Sequence, residues 1–179
     1  MPRMDLRDRV DLLLAAPKSI LETPTWIISA RPETVEMRRT LLEGGEARGA
    51  VLMSQAYPRS VRHEFRHMII LVPPGGTRPD GRCVARLDNA PERDGPHIND
   101  FGGPPGFPGG SVPDLHYHDW VGNRQLGKAQ ELPAKLLYAR DICCRINDID
   151  DGFWWFCQQN QIDATTLDLP GWPRLERLL

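Results

Sequence analysis

FRHMIILV at Phe65–Val72, then PPGG at Pro73–Gly76, then RCVARLDN at Arg82–Asn89: from this stretch the fold can be read. The dense β-type run MIILV, a turn made of prolines and glycines, and a further run from Arg82 to Leu87 predict an antiparallel hairpin. Upstream, Thr25–Ala30 reads as a strand. Thr34–Leu42 and Ala50–Ala56, separated by Gly44 and Gly45 with polar flanks, read as a second hairpin. Downstream, Asn89–Pro113 is so rich in proline and glycine that it predicts a long surface loop, and a final strand is expected at Leu115–Val121.

Helical spacing appears at the two ends. Leu6, Val10, Leu13 and Leu14 recur along Met4–Ala16 until Pro17 stops the run, and Phe153, Phe156 and Cys157 do so between Ile146 and Ile162. Strands outnumber helices without a β-α-β rhythm. The expected class is α+β: a mainly antiparallel sheet with the N-terminal and C-terminal helices packed on one face. The length fits a single domain over residues 1–179, with 1–58 extending the layers, 59–162 as the functional core and 163–179 as an irregular tail.

Composition narrows the classes. A hydrophobic share of 40% with 26% charged residues is that of a globular chain, and a net charge of −2 supplies no broad basic field for indiscriminate nucleic-acid binding. Acids and arginines interrupt the first sixteen residues, where a secretory signal needs an apolar run, and no run approaches the roughly 18 residues that span a bilayer. Cys83, Cys143, Cys144 and Cys157 match neither a two-pair zinc spacing nor a secreted disulfide framework, so buried thiols in a reducing cytoplasm are expected, without a membrane partner.

All five histidines, His63, His67, His97, His116 and His118, fall in one window. On a strand, LHYHDW at Leu115–Trp120 puts His116, His118 and Trp120 on one face. Two neighbouring imidazoles then either hold a divalent metal such as zinc with His97, divide acid and base roles in phosphodiester cleavage, or are simply satisfied sheet residues. Arg86 and Asp88 share a face for the same reason. They form either a structural pair or a catalytic one, in which Asp88 orients a histidine and Arg86 meets developing negative charge. Arg59, Arg62 and Arg66 supply further anion clamps, and Asn89, Asn99 and Trp120 further substrate contacts. HEFRH at His63–His67 fits the zinc-peptidase pattern, but that motif needs a helix, whereas these residues lead into a β-type run. On a strand the two rings stand about 13 Å apart.

The order FRHMIILV, a glycine turn, CVARLDN, GPHIND, DLHYHDW and a closing helix ending near FCQQNQI resembles the TumE-type toxin proteins and related uncharacterised bacterial and prophage proteins, over Arg59–Ile162. The resemblance implies functional positions at Arg86, Asp88, His97, Asn99, His116 and His118. It also implies RNA cleavage by an intracellular protein encoded beside an antitoxin. Two features depart from it: some 58 residues at the N-terminus and FGGPPGFPGGS at Phe101–Ser111. The expected function is therefore a ribonuclease-like hydrolase of a toxin–antitoxin or phage-conflict system, acting on RNA without a required cofactor. The competing readings are a non-catalytic binding or inhibitor protein and the zinc peptidase.

Overall fold

The computed structural model describes residues 5–21, 25–29, 33–72, 81–89, 95–126, 132–133, 135–165, 167 and 171–173. The Pro73–Gly76 turn and most of the tail lie outside them. The two hairpins read from the sequence form the centre of the sheet. β3 (Val35–Glu43) pairs antiparallel with β4 (Glu46–Ala56), β4 with β5 (Phe65–Leu71), and β5 with β6 (Arg82–Asn89).

Short strands complete this sheet: β1 (Lys18–Ile20), β2 (Ile27–Ile28), β9 (Leu115–His118), β10 (Arg140–Asp141) and β11 (Ile162–Asp163). The order is β10-β9-β6-β5-β4-β3-β1-β11, with β2 also on β3, and among the described residues β1–β11 is the one parallel pair. The protein is thus α+β, with a mainly antiparallel sheet and a helix towards each end.

Alternation along the central strands divides the sheet into two faces. Met37, Arg39 and Leu41 of β3, Phe65, His67, Ile69 and Leu71 of β5 and Leu87 of β6 are buried on one of them. Helix α3 (Ile149–Gln159) lies here. Its Gly152 allows the close approach, since a Cβ there would stand 2.6 Å from the Phe65 ring. His67 is pinned beneath it, with Nδ1 3.0 Å from Ser54 Oγ and Nε2 3.1 Å from the Ile149 carbonyl. Burial in this apolar layer pushes its pKa down to about 3, so the ring is a neutral core residue.

Helix α1 (Leu6–Ala15) joins the same core through Val10 and Leu13, and Arg9 pairs with Glu43 of β3. Pro17 follows its end, and Lys18 Nζ donates to the Leu13 and Ala16 carbonyls, placing a cation where the helix dipole favours one.

Two expectations need correction. The last strand does not reach Val121. Asp119 accepts from Val121 N and caps a short helix, α2 (Trp120–Asn123), so Trp120 leaves the sheet face. Trp120 is buried in the core, its Nε1 donating to Asp11 of α1 at 2.7 Å. The proline- and glycine-rich segment is also not devoid of structure: β7 (Ile98–Asn99) and β8 (Gly110–Ser111) form a two-stranded ribbon. Its surroundings are set by aromatic rings lying on glycines. Phe101 lies against Gly109, Tyr138 against Gly103 and Phe107 against Gly122, where any Cβ would meet ring atoms within 2.7 Å.

Candidate functional site

The face of the sheet opposite α3 carries a polar row. Strand register places Glu36, Gln55, Arg66, Asp88 and His116 side by side on five neighbouring strands. Hydrogen bonds run along it: Gln55 donates to Glu36 at 3.0 Å, and Arg66 Nε donates to Asp88 Oδ1 at 2.7 Å under the Tyr57 ring. The next row sets Arg86 beside His118. The ribbon brings in the last member, with the His97 ring 5.0 Å from His116 and 4.7 Å from His118 between centroids.

Asp88 is the centre. Its Oδ2 lies 2.6 Å from Arg86 Nε, 3.3 Å from His118 Nε2 and 3.6 Å from His116 Nε2. Burial alone would raise its pKa. Arg86, the two histidines and Arg66 outweigh that and hold the carboxyl well below the usual range. Arg66 and Arg86 both face this carboxylate, and a guanidinium so held suits an anion.

The hydrogen-bond network fixes which ring nitrogens carry protons. Asn99 is buried and its amide is committed: Nδ2 donates to the Pro108 and Ala139 carbonyls, and Oδ1 accepts from Ala139 N. Oδ1 therefore also accepts from His97 Nε2, 3.2 Å away. His116 Nδ1 donates to the Pro113 carbonyl at 2.8 Å, and its Nε2 faces Asp88 Oδ2, 3.6 Å away. His118 Nε2 receives a hydrogen bond from Arg86 Nη2 at 2.7 Å, so its proton sits on Nδ1, buried and without a partner.

Burial lowers the pKa of His118 to about 4 despite Asp88, and lowers that of half-buried His97, helped by its neighbour His116 and opposed by Asn99 and the Leu137 carbonyl. Both rings are neutral bases near pH 7. The ring nitrogens of His97, His116 and His118 lie within 4.8 Å of one another, so these residues form a candidate metal-ligand set.

Of the residues read from the sequence, Arg66, Arg86, Asp88, His97, Asn99, His116 and His118 come together. Four do not. Arg59 and Arg62 are exposed and pair with Glu33 and Asp114, Asn89 alternates onto the other side of the sheet, and Trp120 is in the core. HEFRH does not form a helix: His63 sits in a turn at φ 52° against Trp172, while His67 lies under α3. Glu36, Gln55 and Tyr57 were missed. They become visible only once register sets Gln55 opposite Arg66.

Comparison with family models, with curated proteins and with solved structures found no match to this chain. Among the described residues, no helix is long and apolar enough to cross a membrane.

Proposed function

We propose that the protein is a hydrolase acting on RNA in the cytoplasm, of the toxin or phage-conflict kind, cutting phosphodiester bonds by acid–base catalysis. One observation carries this reading: the His97 ring, brought in from another part of the chain, converges with His116, His118, Arg86 and Asp88 in one cluster. The resemblance to TumE-type toxins, which rests on the same residues, supports RNA as substrate and an antitoxin as partner.

In this mechanism His97, the most exposed of the three rings and a neutral base, takes the proton of a ribose 2′-hydroxyl. The 2′ oxygen bonds to phosphorus as the bond to the 5′ oxygen breaks. His116, protonated on Nε2 and paired with Asp88, gives that oxygen its proton, leaving a 2′,3′-cyclic phosphate and a 5′-hydroxyl. Arg86 stabilises the negative charge that builds up on the phosphoryl oxygens. His118, fully buried, acts through the hydrogen bond that aims Arg86.

Expression in a bacterium tests the reading. The native chain should arrest growth and degrade RNA, and His97→Ala and His116→Ala should do neither. Full toxicity in both variants would sink it.

A divalent metal ion is the second reading of the same cluster, favoured by the ring nitrogens of His97, His116 and His118 lying within 4.8 Å of one another. Zinc–nitrogen bonds of about 2.0–2.1 Å require the rings to close further, and a bond through His118 Nε2 requires Arg86 to move aside. Zinc analysis of the purified protein decides between the two. One ion per chain, lost in His97→Ala, favours the metal, and none favours acid–base catalysis alone.

A further inference from the structure

Beside the imidazole cluster, on the same face of the sheet, lies a depression of about 100 Å³ lined by Arg38, Val51, Met53, Ile70 and Val72. Pockets that take drug-sized ligands run to roughly 300–1,000 Å³, so this one suits a single planar ring system. Its floor is aliphatic and its rim is a guanidinium. Arg38 is held by Glu36 Oε2, which accepts from Nε at 3.1 Å and Nη2 at 2.6 Å, yet the side chain remains 41% exposed. A tethered planar cation over an apolar floor is a stacking surface for an aromatic ring.

Register connects this depression to the phosphate-binding residue. Arg38 is opposite Met53, Met53 opposite Met68 and Met68 opposite Arg86, while Val51 and Ile70 face each other one row further along. Strand spacing of about 4.8 Å and a same-face repeat of about 6.8 Å put its centre about 10 Å from the Arg86 backbone. The Arg86 guanidinium turns from that backbone towards Asp88 and His118, so a base seated in the depression belongs to a nucleotide adjoining the phosphate that Arg86 holds. A paired base has its edge and both faces occupied and does not enter such a slot. An unpaired one does.

We infer that the Arg38–Val51–Met53–Ile70–Val72 depression is a nucleobase subsite, which makes single-stranded RNA the substrate and seats the base next to the phosphate held by Arg86. The inference rests on the phosphodiester reading of the imidazole pocket, but its test is a binding measurement that does not need cleavage.

The probe is a single-stranded RNA tetranucleotide, 2′-O-methylated so that it is not cut, with 2-aminopurine at one central position. The control carries an abasic residue there. Base stacking on such platforms is sequence-tolerant and accounts for about tenfold in affinity. The native protein should therefore bind the base-bearing strand about tenfold more tightly than the abasic one and quench its fluorescence.

Val51→Phe, which fills the depression, should abolish that ratio. Arg38→Ala should reduce it several-fold, and Arg38→Lys should match Arg38→Ala because charge without the plane does not stack. Thermal melts confirm that each variant folds, and Arg38, being exposed, gives the variant least prone to misfold. A native ratio below threefold, tighter binding of the duplex form, or the native ratio in both Val51→Phe and Arg38→Ala overturns the subsite, whether or not the protein cuts RNA. A native chain that discriminates as expected but leaves ordinary RNA intact keeps the subsite and overturns the catalytic reading.

Discussion

Replacing Asp88 by Asn probes the centre of the site through stability alone. The carboxylate is 4% exposed and faces two guanidiniums, Arg66 at 2.7 Å and Arg86 at 2.6 Å. At an effective dielectric of about 20, each pair supplies roughly 4 kcal/mol of attraction. Desolvation of the carboxylate offsets several kcal/mol of that sum. The variant loses this attraction and leaves two partly buried arginines facing each other, so the net cost is about 3–5 kcal/mol, the range found when one partner of a buried pair is removed. That is a large part of the roughly 5–15 kcal/mol of a whole domain.

The pH dependence has a definite sign. The folded pKa of Asp88 is depressed, so its contribution is complete above the unfolded value near 3.9 and is lost as pH falls through the lower folded value. Urea unfolding of the native chain and Asp88→Asn should therefore give a constant gap from pH 5 to 8 that narrows in stronger acid. A gap under 1 kcal/mol at pH 7, or one that widens below pH 4, would refute the argument.

Other consequences can be checked in parallel. His67 and His118 are buried neutral, with pKa values near 3 and 4, so the unfolded chain binds more protons below about pH 6.5 and stability falls as pH drops. His67→Gln should reduce the slope of unfolding free energy between pH 4 and 6 by about 1.4 kcal/mol per pH unit, and an unchanged slope would show that His67 is protonated in the fold. Gly152→Ala pits propensity against packing: alanine gains about 1 kcal/mol in a helix, but its Cβ meets the Phe65 ring at 2.6 Å. Net destabilisation of about 1–2 kcal/mol is expected from overpacking, and a higher melting temperature would contradict the close approach of α3. Arg86→Lys keeps the charge but loses the paired geometry towards His118 and Asp88, so RNA cleavage should fall about 10²-fold with little change in melting temperature. Unchanged cleavage would remove Arg86 from the mechanism.

The parts of the site built on strand periodicity were legible in the sequence. LHYH and RLDN alternate, and alternation alone puts His116 with His118 and Arg86 with Asp88, as found. Trp120 broke the pattern because Asp119, an ordinary polar residue by type, turns the chain by capping α2. The role of Asn99 was only half visible. GPHIND marks it as a polar loop residue, but the bonds to Ala139 that commit its amide join segments 40 residues apart in the chain. The ribbon was hidden for a related reason, since Gly103 and Gly109, which predict a loose loop, serve here as seats for Tyr138 and Phe101. HEFRH shows the converse: motif spacing without helical context brings two histidines to unrelated surroundings.

The most direct test of the acid–base pocket uses a DNA strand containing one ribonucleotide, incubated with the purified protein and analysed for the chemical ends produced. Cleavage is expected only at the ribose, giving a 2′,3′-cyclic phosphate and a 5′-hydroxyl, and is expected to disappear in His97→Ala and in His116→Ala. Equal cutting of an all-deoxy strand, or native rates in either histidine variant, would contradict it.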